Sequence, residues 1–396
     1  MITNLRFFLT LFVVFVAAPF PGSAAARDIK IGLAIEATGT FASLGEELER
    51  GFTIHMEDVK WSVGGNKIVL VKEDTQGNPN MGLTKVTKLV ELDKVDLVTG
   101  VVSSAIGTAI KGYIHANKVP LVLMISSVDE ITIKERSPYI YRIVESNVQQ
   151  IYPYGQWLSR KRGFKRAIVI ASDYAAGRSQ AKAFMAGFRD AGGAIVQEIY
   201  TPLTTQDYAP FLATIKPESA DLVYAFTPGA TQISLFKQFE EYGLKGKIPM
   251  AGGSGQPDML LLQKIGKPAV GTIVVDFYSA GFQSPQNAHY LARYKAKHGG
   301  IPSEWAYLGY AAGLAITDAI RKAGADTGRE ALAKALAKVD VVGPRGRLEF
   351  DANGQMIGQI FLSEVVQSNE GLTKKLLDTV TDLRQIPNYE RVYGKQ

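Results

Sequence analysis

The chain of 396 residues is 46% hydrophobic and 21% charged, a composition that suits two or three globular domains with buried cores. Its 44 basic residues exceed its 38 acidic residues by six, and this excess, spread over the whole chain, does not predict nucleic-acid binding. The absence of cysteine excludes a disulfide framework, thiol chemistry and a lipidated cysteine anchor.

Residues 1–26 have the pattern of a secretory signal peptide. Arg6 precedes an apolar run at residues 7–18, a proline and glycine break follows, and small residues at 23–26 provide a cleavage site, which we expect after Ala26. No later segment reaches the roughly 18 uninterrupted apolar residues that a membrane-spanning helix needs. We therefore expect an exported protein that is free in the periplasm.

Short apolar segments and amphipathic segments alternate from residue 29 to residue 125. The apolar segments predict strands at residues 29–33, 67–72, 97–102 and 120–125, and the amphipathic segments predict helices at 45–60, 81–92 and 105–117. Buried strands separated by helices indicate βαβ units and a parallel sheet.

The pattern pauses at residues 139–150 and then begins again. Helices are predicted at 151–161, 177–191, 208–215 and 230–242, and strands at 167–171, 194–200, 221–225 and 248–251. The predicted fold class is therefore α/β, with two doubly wound, Rossmann-like lobes. The tail adds three helices within 287–337 and strands at 347–350 and 358–366. If these helices join one lobe and these strands the other, the chain crosses between the lobes more than once.

In the first predicted lobe, small and hydroxyl residues follow three strands. Ser103 and Ser104 stand where a strand ends and a helix begins, the segment 36–45 contains one aromatic residue, Phe41, and Ser126 and Ser127 follow the fourth strand. Ligands of open α/β sheets bind beyond the carboxyl ends of the strands, where the first amides of a helix attract an anion or a carbonyl. The alternative for Ser103 is a plain helix cap.

In the second predicted lobe, the strand ends carry aromatic rings and a carboxylate. Asp173 and Tyr174 follow one strand, Phe226 and Thr227 follow another, and a Gly-Gly-Ser-Gly-Gln run at 252–256 follows a third. Tyr174 and Phe226 could instead be core residues. A polar wall opposite an aromatic wall suits a small ligand with a carboxylate or carbonyl at one end and an apolar or ring-like body.

Five segments together resemble the periplasmic solute-binding proteins of ABC importers, of the type I group that includes leucine/isoleucine/valine-binding proteins. The segments are IKIGL-x4-TG-x5-G from residue 29, EDTQGNP at 73–79, GVVSS at 100–104, LVLMISS at 121–127 and GPRGRLEFDANGQ at 343–355. The resemblance covers essentially all of the chain after the signal peptide. It implies a monomer in which two lobes close around one ligand, and an inner-membrane permease with its ATPase as partners.

The resemblance also implies three crossovers, near residues 145–148, 276–278 and 348–350. Lobe 1 would then comprise residues 27–146 and 277–348, and lobe 2 residues 147–276 and 349–396. The ligand carboxylate would be held by Ser104 and its neighbour Ser103, with a similar main-chain role for 126–128. The candidate ligand-binding residues are Phe41, Leu44, Val102, Ser103, Ser104, Ser126, Ser127, Val128, Asp173, Tyr174, Phe226, Thr227, Gly253, Ser254 and Tyr278.

One position departs from the pattern of the family. Amino-acid binders place a glutamate that pairs with the ligand ammonium where this chain has Gly253. A buried ammonium without a counter-charge costs several kcal/mol, so we expect a carboxylate with an apolar or aromatic body. Asp173, or Asp129 and Glu130, could supply a substitute charge. A branched-chain amino acid or an amide therefore remains the alternative.

Two further function classes have less support than transport or are not separated from it by sequence. An α/β enzyme has little support, because the run at 252–256 misses the last glycine of G-x-S-x-G and no phosphate-binding glycine motif follows a strand. The four histidines, His55, His115, His289 and His298, lack zinc-site spacing, so we expect no catalytic residue, no metal and no cofactor. A ligand sensor of the same fold is distinguished by neighbouring genes, because permease and ATPase genes favour transport.

Overall fold

The computed structural model describes Met1 and residues 27–134, 136–369 and 371–394. The predicted signal peptide, residues 1–26, falls outside the described residues except for Met1. Two largely parallel sheets organise the described part of the chain, and each forms the centre of one lobe. No helix in the described residues is long and apolar enough to cross a membrane.

Lobe 1 contains a six-stranded sheet. Its strands are β1 (Asp28–Ile35), β2 (Ser62–Val63), β3 (Asn66–Asp74), β4 (Leu97–Gly100), β5 (Leu121–Leu123) and β6 (Ile140–Arg142), in the order β2-β3-β1-β4-β5-β6. All neighbours pair in parallel except β2 with β3. The connecting helices are α1 (Ala42–Asp58), α2 (Pro79–Glu91) and α3 (Ser104–Ala116). Apolar side chains on both faces of β1 enter two separate cores, which explains its nearly continuous apolar sequence.

Lobe 2 begins with a second series of strands and helices. The helices are α4 (Asn147–Arg160), α5 (Ala175–Asp190), α6 (Ala209–Leu212), α7 (Thr231–Glu241) and α8 (Met259–Ile265). The strands are β7 (Arg166–Ser172), β8 (Ala194–Thr201), β9 (Leu222–Phe226), β10 (Met250–Gly252) and β11 (Ile273–Asp276). These five strands are parallel where they pair.

The tail returns to lobe 1 and then to lobe 2. Helices α9 (Pro285–His298), α10 (Glu304–Ala323) and α11 (Arg329–Leu336) pack into the core of lobe 1, followed by the hairpin β12 (Asp340–Gly343) and β13 (Gly346–Glu349). Strands β14 (Gly358–Ser368) and β15 (Gly371–Leu383) extend the lobe 2 sheet, which has the order β15-β14-β11-β10-β9-β7-β8. The chain ends in α12 (Gln385–Tyr393), so it passes between the lobes three times.

Two glycines allow α1 and α10 to cross closely. A Cβ atom on Gly51 would lie 1.7 Å from the carbonyl oxygen of Ala306, and a Cβ on Gly309 would lie 1.9 Å from that of Leu48. Because no side chain fits at either position, α10 is held against the helix that follows β1. This contact fixes the start of α10, which lies beside the cleft between the lobes. The arrangement confirms the predicted α/β fold with two doubly wound lobes.

Candidate functional site

A cavity lies between the two lobes, at the carboxyl ends of their parallel strands. In lobe 1 the loops after β1, β4 and β5 meet there because these strands are neighbours, and in lobe 2 the loops after β7, β9 and β10 do the same. In each lobe the order of strands reverses at this point, which is where open α/β sheets bind ligands. The cavity is therefore at the position that the sequence predicts.

The lobes are closed around this cavity. A Cβ atom on Gly229 of lobe 2 would lie 2.5 Å from the carbonyl oxygen of Thr40 in lobe 1, so the two rims touch. The cavity is small, with a volume of ≈ 50 Å³. Only a small ligand fits between the lobes in this state.

Ser103 and Ser104 both line the cavity. Ser103 is the N-cap residue of α3, yet its side chain makes no capping hydrogen bond, and neither hydroxyl has a partner among the described residues. The amide of Ser104 belongs to the first turn of α3, whose N–H groups lack intrahelical acceptors. The plain helix cap is thus ruled out, and two hydroxyls are available beside the positive end of a helix.

The turn between β4 and α3 has an unusual backbone. Gly100 and Val101 have φ angles of 109° and 62°, in the left-handed region, and a Cβ on Gly100 would lie 2.2 Å from the carbonyl oxygen of Ala34. For a β-branched residue such as Val101 this conformation is a genuine outlier that costs about 1–3 kcal/mol. Strain of this kind is typical of sites where main-chain groups are held in place for a ligand.

The Glu36 side chain binds the main chain of this turn. Its carboxylate accepts hydrogen bonds from the amides of Val102 at 2.9 Å and Ser103 at 2.8 Å, and its side chain is fully buried. Burial raises the pKa of the Glu36 carboxyl to about 7, against the opposing effect of the two amides. Glu36 therefore occupies these two amides and leaves the serine hydroxyls and the first turn of α3 for a ligand.

Aromatic side chains line another part of the cavity. Tyr174 and Phe226 of lobe 2 lie nearly parallel, with ring centroids 6.4 Å apart and an angle of 11° between the planes. Phe41 belongs to lobe 1, and Trp305 at the start of α10 meets Phe277 edge to face at 5.1 Å. These rings offer faces and edges on which a ring-like ligand can pack.

Four glutamines line the cavity, and two of them keep a free amide. The Oε1 atom of Gln180 accepts from the Tyr224 hydroxyl at 3.0 Å and from the Ser254 amide at 3.2 Å, and Oε1 of Gln232 accepts from the Asp258 amide at 3.0 Å. The Nε2 groups of Gln180 and Gln232 have no partner in the part of the chain that the structure describes. Both can donate to a ligand. The other two, Gln150 and Gln256, have both amide atoms bound.

No charged side chain and no histidine is among the described residues that line this cavity. Gly253 explains part of this, because a Cβ there would lie 2.6 Å from Oε1 of Gln180, 2.7 Å from the Tyr224 hydroxyl and 2.8 Å from the Phe226 ring. Gln180 and Tyr224 therefore fill the space that a glutamate would need at this position. Within the described residues, no group of three or more acidic or histidine side chains could hold a metal ion.

Nine of the candidate residues from the sequence line the cavity: Phe41, Leu44, Val102, Ser103, Ser104, Ser127, Tyr174, Phe226 and Ser254. Six do not, namely Ser126, Val128, Asp173, Thr227, Gly253 and Tyr278. The carbonyls of Ser126 and Val128 accept from Nη1 of Arg142 at 2.9 and 2.6 Å, so these two main-chain groups are already bound. The Ser126 hydroxyl lies against Gly107 of α3, away from the cavity.

The proposed substitute charges also lie elsewhere. Asp173 is exposed and pairs with Arg178 at 2.7 Å, and the buried carboxylate of Asp129 binds the Ser179 hydroxyl at 3.2 Å. Glu130 lines a surface groove beside α3. None of these carboxylates can reach a ligand ammonium in the cavity.

Thr227 and Tyr278 have structural partners. The main-chain N–H and carbonyl of Thr227 bind the side-chain amide of Gln256. Tyr278 stacks on Tyr307 with ring centroids 4.7 Å apart and donates its hydroxyl to Asn287 at 2.7 Å. Tyr278 therefore lies just beyond the end of β11 and lines a second cavity.

A buried ion pair holds the three connections between the lobes together. Nη2 of Arg345, in the turn between β12 and β13, lies 2.5 Å from Oε1 of Glu145, and both side chains are almost fully buried. Arg345 also donates to the main-chain carbonyls of Phe277 and Gln359. The same Glu145 oxygen accepts a hydrogen bond from the main-chain N–H of Gln359 at 2.9 Å. Glu145 and Phe277 belong to the first and second connections, and Gln359 lies at the start of β14, where the third connection ends. The pair therefore joins all three.

The chain matches the periplasmic binding protein family over residues 28–371. The Leu/Ile/Val-binding protein homolog 6 of Brucella melitensis biotype 1 is 29% identical over 371 residues, or 92% of this chain and 93% of that protein. A solved ABC transporter substrate-binding protein from Sphaerobacter thermophilus is 30% identical, with a TM-score of 0.85 over 90% of this chain and 99% of that chain. A solute binding protein of an ABC transporter from Rhodopseudomonas palustris BisB5, solved with 3,4-dihydroxy benzoic acid, is 29% identical, with a TM-score of 0.85 over 90% and 98% of the two chains.

These similarities extend over both lobes and agree with the resemblance that the sequence motifs indicate. The match to the family covers most of the chain, and the solved relatives share its fold over nearly their whole length. The chain therefore belongs to the periplasmic binding protein family, the substrate-binding proteins of ABC transporters.

Proposed function

We propose that this protein captures a small aromatic monocarboxylate between its lobes and delivers it to the permease and ATPase of an ABC importer. The cavity combines free hydroxyls and helix amides at one end with aromatic rings along its walls. A carboxylate accepts hydrogen bonds only, which matches an end of the cavity that offers donors. The similar protein from Rhodopseudomonas palustris was solved with an acid of this class.

One observation carries the proposal: the described lining of the cavity contains no carboxylate. An α-amino acid would bring an ammonium group into this space, and burying it without a counter-charge costs several kcal/mol. The missing side chain at Gly253 leaves no space for a carboxylate from another residue, because Gln180 and Tyr224 fill that space. A ligand that has a carboxylate and no ammonium avoids this cost.

In the proposed complex, each wall of the cavity binds a different part of the ligand. The hydroxyls of Ser103 and Ser104 and the first turn of α3 bind the carboxylate, and charge-assisted hydrogen bonds of this kind are the strong ones. Tyr174 and Phe226 pack against the ring. The Nε2 groups of Gln180 and Gln232 donate to a hydroxyl oxygen on the ring, so hydroxylated benzoates gain further hydrogen bonds.

Capture needs no covalent chemistry. The ligand contacts both lobes only in the closed form, so it binds that form better than the open one and shifts the population toward it. The closed form differs in shape from the open one, and this difference is what a permease can recognise.

The proposal includes export through a cleaved signal peptide at residues 1–26, which carries the basic start, apolar run and small-residue end of such segments. The mature protein from a periplasmic extract should begin close to Arg27 when its N-terminus is read by mass spectrometry. An intact Met1 on the exported protein would contradict cleavage.

Isothermal titration calorimetry against a matched panel tests the ligand class. The panel comprises benzoate, 3,4-dihydroxybenzoate, benzamide, phenylalanine and leucine. We expect the two aromatic acids to bind, and phenylalanine to bind at least about 100-fold more weakly than benzoate, because about 2.7 kcal/mol of uncompensated ammonium burial corresponds to that ratio. Tighter binding of leucine or phenylalanine than of either acid would refute the proposal.

A further inference from the structure

A second group of charged side chains is buried where the lobes meet, outside the lining of the ligand cavity. Asp258 precedes α8, Asp276 ends β11 and Lys374 lies on β15, all in lobe 2, whereas Glu304 begins α10 of lobe 1. Each of these side chains is 8% exposed or less. The Arg345–Glu145 pair that joins the connections between the lobes does not include this group.

Hydrogen bonds and ion pairs join this group across the lobes. Nζ of Lys374 lies 2.7 Å from Oδ1 of Asp276 and 3.2 Å from Oε1 of Glu304, and it also donates to the Gly255 carbonyl at 3.3 Å. Nε1 of Trp305 donates to Oδ2 of Asp258 at 2.6 Å. Glu304 and Trp305 belong to lobe 1, so both contacts exist only while the lobes are together.

The group is also connected to the ligand cavity. Trp305 lines that cavity with its ring while its N–H is held by Asp258. The main-chain amide of Asp258 binds Oε1 of Gln232, which lines the cavity from the other side. A ligand that closes the lobes on these two residues therefore also assembles the charged group.

The charges in the group do not balance. Three carboxylates face one ammonium, and like charges that share a buried site cannot all stay ionised without cost. Burial, followed by the charge of Glu304, raises the pKa of Asp258 to about 8. Burial raises the pKa of Asp276 to about 7, against the opposing effect of Lys374 and with a further contribution from the charge of Glu304. Tyr154 also lies beside Asp276. Lys295 lines the adjoining cavity and is exposed.

We propose that closing of the lobes takes up a proton at this group, so that the ligand is held more tightly as the pH falls. When the lobes open, Glu304 leaves the other carboxylates and water reaches them, so their affinity for a proton returns toward that of ordinary carboxyls. The closed form therefore binds more protons than the open form, and lowering the pH favours closure. The proposal rests on the proposed function only in that a ligand closes the lobes.

The replacement Glu304→Gln tests this directly. The glutamine keeps an oxygen for Lys374 but removes one of the three negative charges. In the wild type, the Kd for benzoate should rise at least about tenfold between pH 5.5 and pH 8, because one proton taken up changes affinity by up to tenfold per pH unit. In Glu304→Gln, the ratio of the Kd at pH 8 to the Kd at pH 5.5 should be at least threefold smaller than in the wild type. Glu46→Gln, which removes a carboxylate from an exposed pair with Arg50, should keep the wild-type dependence.

Two further measurements keep the test decisive. Asp276→Asn removes a different carboxylate of the group and should reduce the pH dependence in the same way. If benzoate binds at no pH, the proposed ligand class fails, and closure is then read from the radius of gyration of the ligand-free protein by small-angle X-ray scattering. The wild type should be more compact at pH 5.5 than at pH 8, and Glu304→Gln should change less. Equal pH dependence in the wild type and both variants would overturn the inference.

Discussion

Replacing both Ser103 and Ser104 by alanine should weaken benzoate binding by about 10²- to 10⁴-fold. A hydrogen bond to a charged group contributes about 1.5–3 kcal/mol, and the double replacement removes two such donors from the ligand carboxylate. The protein itself should remain as stable as the wild type, because neither hydroxyl has a partner among the residues that the structure describes. Calorimetry measures the affinity, and urea unfolding measures the stability.

Ser43→Ala provides the matched control. Ser43 is a half-buried serine of α1 in the same lobe and does not line the cavity, so its removal should leave affinity unchanged. If the double variant binds benzoate as tightly as the wild type, the hydroxyls do not hold the carboxylate. A loss of stability equal to the loss of binding free energy would show that the serines are structural.

Replacing Arg345 by methionine should lower the free energy of unfolding by about 3–5 kcal/mol, the usual cost of breaking a buried ion pair. The change leaves the fully buried Glu145 without its cation and removes the donors to the Phe277 and Gln359 carbonyls. All three connections between the lobes lose a shared partner. Urea unfolding followed by circular dichroism measures the effect.

Arg347→Met is the control, since Arg347 lies two residues further along the same hairpin and pairs with Asp340 at the surface. Arg347→Met should change the free energy of unfolding little, because solvent screens an exposed ion pair. Adding Glu145→Gln to Arg345→Met should recover part of the lost stability, because the unpaired buried charge is removed. A loss no larger than that of Arg347→Met would contradict the role of the pair.

Most of the order of elements and the position of the cavity follow from local sequence signals, although strands β6 and β11 and helix α8 are not among the predicted elements. Alternating apolar strands and amphipathic helices are enough to predict two parallel sheets, and the residues that follow a strand are fixed at its end. Ser103, Ser104, Tyr174 and Phe226 could therefore be placed beside a cleft without knowledge of packing.

Other features depend on packing that no short segment contains. Gln180 lies in the second turn of α5 and Gln232 in the first turn of α7, and only the folded lobes show that both residues line the cavity. Glu145 and Arg345 are far apart in the sequence, so nothing local links them.

Some helices and strands differ from the predicted ones for local physical reasons. Helix α4 begins at Asn147, earlier than predicted, because Ser146 and Gln149 form a capping box, a signal that the pattern of apolar residues does not reveal. The apolar pattern does not predict strand β15, because lysine, threonine and aspartate occupy its exposed positions at the edge of the sheet.

A crystal structure of the protein with 3,4-dihydroxybenzoate tests the central claim most directly. The account predicts a carboxylate within hydrogen-bond distance of the Ser103 and Ser104 hydroxyls, a ring packed against Tyr174 and Phe226, and ring hydroxyls facing Gln180 or Gln232. A ligand seated in the second cavity near Tyr278, or one whose carboxylate faces away from both serines, would contradict it.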